Sequence, residues 1–249
     1  MVGIKASDIV QAGFSTPADA PLVPPFPFSY RNAEILTLAY RTDIRAIETV
    51  LPEPLRPMTD VVLIHIYKMN DTDWLGKYTE ANVMVSTLLP SGDVGGYSTH
   101  IYLSSDGGVA QGREVHGQPK KLAGIRLKSA GDAWVGRIKR NGIDVATGTL
   151  AYKQKRAQQS ELLELFDFRL NVNLKAINNI DGSPAIRQLT ARRLENFIMH
   201  ECWSGPCTVE LRKNVQAPVF RLPVVEDLRG FYWRADFDLV GGHVLHDYL

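Results

Sequence analysis

Three segments in the first half of the chain carry the clearest hydrophobic pattern: VVLIHIYK (61–68), NVMVSTLLP (82–90) and YSTHIYLS (97–104). Each is rich in β-branched and aromatic residues, which suit a pleated, packed surface, and SGDVGG between the last two is a turn signal. They predict paired antiparallel strands. A meander follows in GIRLKSA, DAWVGRIKR and IDVATGTLAYKQK, where Asn141-Gly142 supplies the two positive-φ residues that a type I′ hairpin requires. NVNLKAI, RQLTARRLENF, TVELRK and FYWRADFDLV add further strands.

A helical period appears only briefly. YRTDIRAIETVLPEPL offers Thr42 as an N-cap, Ile44, Ile47 and Leu51 on one face, and Pro52 as a stop. A second short helix is expected around Ser160 to Phe166. Residues 14–28 contain Pro17, Pro21, Pro24, Pro25 and Pro27, which fix φ and remove backbone donors, so residues 1–30 are expected to form an extended Pro-rich N-terminal arm. No repeat and no Pro/Gly/Ser-rich linker divides the chain, which predicts a single domain over residues 1–249. The fold class is mostly β (β-rich α+β). So many antiparallel strands must hide their edges, and a closed barrel with extra strands around it is the expected solution.

Composition narrows the function. The 249 residues include 28 Lys plus Arg against 27 Asp plus Glu, a formal net charge of +1. Nucleic-acid binding, which relies on a basic excess, has no support. No run approaches the roughly 18 apolar residues of a membrane span, and the N-terminus lacks the basic and apolar regions of a signal peptide. Two cysteines, Cys202 and Cys207, are too few for a disulfide framework and point to the cytoplasm. There is no Walker loop, no GxSxG elbow and no HExxH. His200, Cys202 and Cys207 lack the paired spacing of a zinc site, so neither metal nor cofactor is expected.

The candidate chemistry lies in GREVHGQPKKLAG (112–124). A Lys-Lys pair is usually a solvated surface feature. Here Pro119 precedes it and Leu122-Ala123-Gly124 reads as entry into a packed strand, a junction that directs a lysine into a barrel mouth. Such a lysine forms a Schiff base with a carbonyl substrate only as the neutral amine. At an ordinary pKa of about 10.4, roughly one amine in a few thousand is neutral at pH 7. Desolvation in an apolar pocket, or a like charge on Lys121, would raise that fraction. In an extended segment consecutive side chains face opposite ways, which carries the Lys121 charge away and makes desolvation the larger cause.

The stretches FSTP, YRTD, LPEPL, GKYTE, GREVHGQPKKLAG, NIDGSP, HECWSGP and APVFRLPV together resemble the acetoacetate decarboxylase family nearly end to end. Activation of a lysine by desolvation or a cationic neighbour is already attached to that family and comes with the resemblance. The resemblance implies an antiparallel β architecture around a closed barrel, assembled as a homo-oligomer that takes a small keto-acid substrate. It places Lys120 as the Schiff-base lysine, Lys121 as its neighbour, and Glu80 as the active-site glutamate that relays a proton or positions water. The family's arginine before YRTD falls on Ala33, with Arg31 two residues earlier. A two-residue shift keeps strand facing and lets Arg31 substitute. A second acid falls on His65, which reads equally as a core histidine, and an aromatic position is Gln118.

A pocket with Gln118, His65 and His116 also suits an α-keto acid or a larger oxygenated substrate. Arg113 and Glu114 read either as substrate contacts or as a brace for the lysine loop, and Tyr97 and His100 as candidate barrel-lining residues. The leading function is decarboxylation of acetoacetate or a related β-keto acid. The alternatives are a Schiff-base aldolase-dehydratase, or another keto-acid lyase of the same superfamily, and a non-catalytic small-ligand barrel.

Overall fold

Strand formation dominates the computed structural model, which describes residues 4–11, 15–23 and 25–249. Phe14 of FSTP and Pro24 of the arm lie outside the described residues. The strands are β1 (Phe28–Arg41), β2 (Arg56–Met69), β3 (Asp71–Thr72), β4 (Tyr78–Leu88), β5 (Val94–Leu103), β6 (Lys120–Leu122), β7 (Gly124–Ala130), β8 (Ala133–Arg140), β9 (Ile143–Ala151), β10 (Lys155–Arg156), β11 (Leu170–Asn178), β12 (Pro184–Leu211), β13 (Glu226–Leu239) and β14 (His243–Asp247). Among the described residues run four short α-helices: α1 (Ala6–Gln11), α2 (Ile44–Glu48), α3 (Asp106–Gln111) and α4 (Gln159–Leu163). The chain is therefore mostly β with few helices.

Strand pairing follows the order β11-β5-β4-β2-β1-β13-β12, and β11 pairs with β12 as well, so the run of neighbours returns to its start. β12 makes this possible by changing partners along its length. It pairs with β11 through Arg193, with β13 from Leu194 to Pro206, and with β9 from Cys207 to Leu211. The β7-β8-β9 meander extends from that last section. Its turn is the one foreseen: Asn141 (φ 52°) and Gly142 (φ 77°) join Arg140 to its pairing partner Ile143.

Both faces of the central strands are buried. On β1, Ala33, Ile35 and Ala39 join one apolar cluster with Leu63, Phe231 and Trp233, while Leu36, Leu38 and Tyr40 join a second with Ile64, Val83 and Ile138. That is why β1 shows no simple alternation of polar and apolar residues. Two expectations are corrected here. The arm is not extended throughout, because α1 occupies the proline-free ASDIVQ. The cap of α2 is Asp43, whose carboxylate accepts from the Arg45 amide at 2.9 Å, while the Thr42 amide remains tied to the Asp60 carbonyl at 2.9 Å.

Candidate active site

The approach to Lys120 is a helical turn rather than a loop. Ser105 caps α3 by accepting from the Gly108 amide at 3.1 Å, and Gly112–His116 continues as a single π-helical turn. It ends at Gly117 in the left-handed region, φ 78°, where a Cβ would lie 2.4 Å from the Lys175 Cα on β11. The Gln118 amide then donates back to the Gly112 carbonyl at 2.8 Å. β6 begins at Lys120, paired in parallel with Ile101 of β5.

His116 is the anchor of this turn. Its Nε2 donates to the Val240 carbonyl at 3.1 Å, which leaves Nδ1 to accept from the Gln111 amide nitrogen at 2.8 Å. Its own carbonyl accepts from the Thr190 hydroxyl at 2.6 Å. Those partners require a neutral ring, and burial pushes its pKa down to about 3. Arg113 also braces the segment, donating to the Lys120 carbonyl at 3.4 Å.

Lys120 keeps 4% of its surface accessible and projects into a cavity of about 40 Å³. Its Nζ lies 3.2 Å from Glu80 Oε2, an ion-pair distance without good hydrogen-bond alignment. Strand alternation places Tyr78, Glu80 and Asn82 of β4 along one wall and Tyr67 and Met69 of β2 along the next. Tyr30 of β1 and Arg192 of β12 complete the polar lining. The Tyr30 and Tyr78 hydroxyls meet at 3.0 Å, and burial raises both phenols so that they stay protonated. Gln118 donates to Asn171 Oδ1 at 3.2 Å, while its own oxygen points free of any protein partner among the described residues.

Desolvation is the largest influence on Lys120 and lowers its pKa; Glu80 opposes that shift and Arg192 adds to it. The site thus holds an amine whose charged form is disfavoured, beside a carboxylate, in a space for about three waters. A wider groove of about 500 Å³ is lined by Arg113, Glu114 and Leu174 and shares Gln118 with the inner cavity. The buried titratable groups converge on the smaller space, not on the groove.

A family model described as acetoacetate decarboxylase matches residues 14–249. The chain belongs to the acetoacetate decarboxylase family. It is 36% identical over 242 residues to acetoacetate decarboxylase of Clostridium acetobutylicum, covering 97% of this chain and 98% of that one. Its identity to the Chromobacterium violaceum acetoacetate decarboxylase is 35% over 246 residues, 99% of each chain. A solved structure described as "Structural Studies of Acetoacetate Decarboxylase" superposes with a TM-score of 0.92 at 34% identity, covering all of both chains.

Within this acetoacetate decarboxylase framework, the sequence-based candidates separate into two sets. Lys120, Glu80 and Gln118 meet at the cavity. Arg31 does not: its half-exposed guanidinium pairs with Asp73 at 2.8 Å and Asp71 at 3.5 Å. The two-residue parity argument fails because a bulge interrupts β1 between Tyr30 and Ala33, with Asn32 at φ 51°. Tyr30 and Ala33 therefore face the same cluster although they are three residues apart, and Arg31 points outward.

His65 sits one alternation deeper than Tyr67, sealed beneath the cavity. Its Nδ1 meets the Thr37 hydroxyl at 2.9 Å, which also accepts from the Trp233 indole at 2.8 Å. Tyr97 packs in the second apolar cluster, and His100 lies beside Lys121. The residues that sequence reasoning missed are Arg192, Asn82 and the tyrosines. The arginine sits in an Arg-Arg pair that reads as a solvated face, and only the register with β11, Asn171 opposite Arg192, turns it inward.

Burial depresses His65 and His116 to about 3 and His100 to about 4. The unfolded chain binds protons below about pH 6.5 that the native state refuses, so stability is present at neutral pH and falls as pH drops. Three such groups give a slope of about 4 kcal/mol per pH unit near pH 5. A urea midpoint that is flat between about pH 7 and 5 at fixed protein concentration would contradict it.

At Gly112, an added Cβ would lie 2.3 Å from Lys120 Cδ and 2.9 Å from Gln118 Oε1. Gly112→Ala should therefore displace the amine and lower turnover by about 10²-fold while the fold survives; wild-type activity in this variant would show that the lysine is not confined there. Lys121 points away, its Nζ donating to the Gln216 carbonyl at 3.0 Å. Lys121→Met should keep kcat within about threefold and leave the acid limb of the pH profile in place, since desolvation and Arg192 depress Lys120. An equal loss to that of a Lys120 variant would overturn this.

Proposed function

We propose that the chain is a decarboxylase of acetoacetate or a related short β-keto acid, acting through a Schiff base on Lys120. The observation that carries the reading is a buried lysine with a depressed pKa, 3.2 Å from the Glu80 carboxylate, in a cavity with room for a few-carbon molecule. The neutral amine attacks the keto carbon, the carbonyl oxygen leaves as water, and an iminium forms. The electron pair of the bond to the carboxylate moves toward the iminium nitrogen as carbon dioxide departs, leaving an enamine. Glu80, directly or through water, protonates the enamine carbon, and water hydrolyses the resulting iminium. The sum consumes one proton and releases one ketone and one carbon dioxide, with no change of oxidation state supplied from outside.

The same reading extends to the setting. The strand run that returns on itself is proposed to be a closed barrel, with residues 1–249 as one domain. The working form is proposed to be a homo-oligomer in the cytoplasm, where the thiols of Cys202 and Cys207, pushed up to about 12 and 11 by burial, stay reduced. Among the described residues no helix is long and apolar enough to cross a membrane. Incubation with acetoacetate should release equimolar carbon dioxide and acetone. Imine formation with pyruvate and condensation with an aldehyde, without carbon dioxide release from acetoacetate, would favour the aldolase-dehydratase reading.

A further inference from the structure

We infer that Arg192 is the anion-binding residue of the cavity: it holds the substrate's carboxylate and makes Lys120 selective for keto acids over neutral ketones. The inference rests on the Schiff-base reading of Lys120. Arg192 shares the cavity wall with Glu80 and Lys120. Part of its side chain keeps some accessible surface, but Nε and Nη1 are shut off from solvent and have no hydrogen-bond partner among the described residues. A guanidinium offers five donors in a fork shaped for a carboxylate. Two orphaned donors of that kind, buried in a cavity, are a costly arrangement unless a ligand completes it.

The charges of the cavity point the same way. Among the described residues Glu80 is the only carboxylate that lines it, and Lys120 already lies 3.2 Å from that group. Tyr30, Tyr67 and Tyr78 are held protonated by burial and supply no negative charge. With Lys120 neutral, the Glu80 carboxylate and the Arg192 guanidinium balance. Imine formation then adds one positive charge in a desolvated space, and a single substrate carboxylate restores the balance. A neutral ketone leaves that charge uncompensated. Ala33 contributes no charge, and Arg31 is paired outside, so β12 provides the cavity's arginine.

The bond to the carboxylate breaks with loss of its charge, so Arg192 stabilises the bound substrate more than the transition state. Its removal should therefore raise KM for acetoacetate and leave kcat unchanged or higher.

The test compares two probes on the full chain, acetoacetate and acetone, each trapped on Lys120 with borohydride and read by mass spectrometry. Arg192→Met should raise the half-saturating acetoacetate concentration at least about tenfold relative to that for acetone, which shares any change in the free Lys120 amine. Arg192→Lys, which keeps the charge but not the fork, should fall between and guards against a folding defect in the first variant. Equal changes for both probes, or none for acetoacetate, overturn the role of Arg192 while the lysine chemistry stands. If the wild-type protein is labelled at Lys120 by neither probe, the Schiff-base reading fails and takes this inference with it.

Discussion

Lys120→Ala loses at least about 10⁴-fold in turnover, because the covalent route disappears with the amine and no other lysine among the described residues lines the cavity. The loss is chemical, and a second substitution separates it from packing. Lys120 is almost fully buried, so alanine leaves a void, whereas Lys120→Met fills most of the same volume with an uncharged chain. Both variants should be equally inactive and only the alanine noticeably less stable. Residual activity within about tenfold of wild type in Lys120→Met would show that the amine is not the nucleophile.

Glu80→Gln is expected to cost about 10²–10⁴-fold in kcat, the range of a lost acid-base group. The direction of its pH effect is more diagnostic. Glu80 raises the Lys120 pKa against desolvation and Arg192, so its removal lowers that pKa further. The neutral amine then persists to lower pH, and the acid limb of kcat/KM should move down even as turnover falls. The iminium loses its counter-charge, and the enamine carbon loses its proton source. An acid limb that moves upward would mean that Glu80 does not face the amine as placed here.

Much of the fold was legible because the meander obeys local rules. Asn141-Gly142 fixes its turn, and period-two alternation fixes β7 to β9. β1 was not legible, since strands buried on both faces lose alternation, and β12 read as two strands because its bulges near Asn196 and its Gly205-Pro206 step look like breaks. At the site, Lys120 and Glu80 could be found from motifs that lie close in sequence to the groups they position. Arg31 was misplaced by an unforeseen bulge. Arg192 was missed because its facing is set by pairing with β11, a relationship between distant segments that no local pattern reports.

Covalent attachment of the substrate to Lys120 is tested by incubation with acetoacetate, borohydride reduction and peptide mass spectrometry. A single isopropyl group on Lys120 is expected, the reduced form of the acetone iminium left after carbon dioxide departs. An adduct on Lys121 or another lysine, or no adduct under turnover, would contradict it.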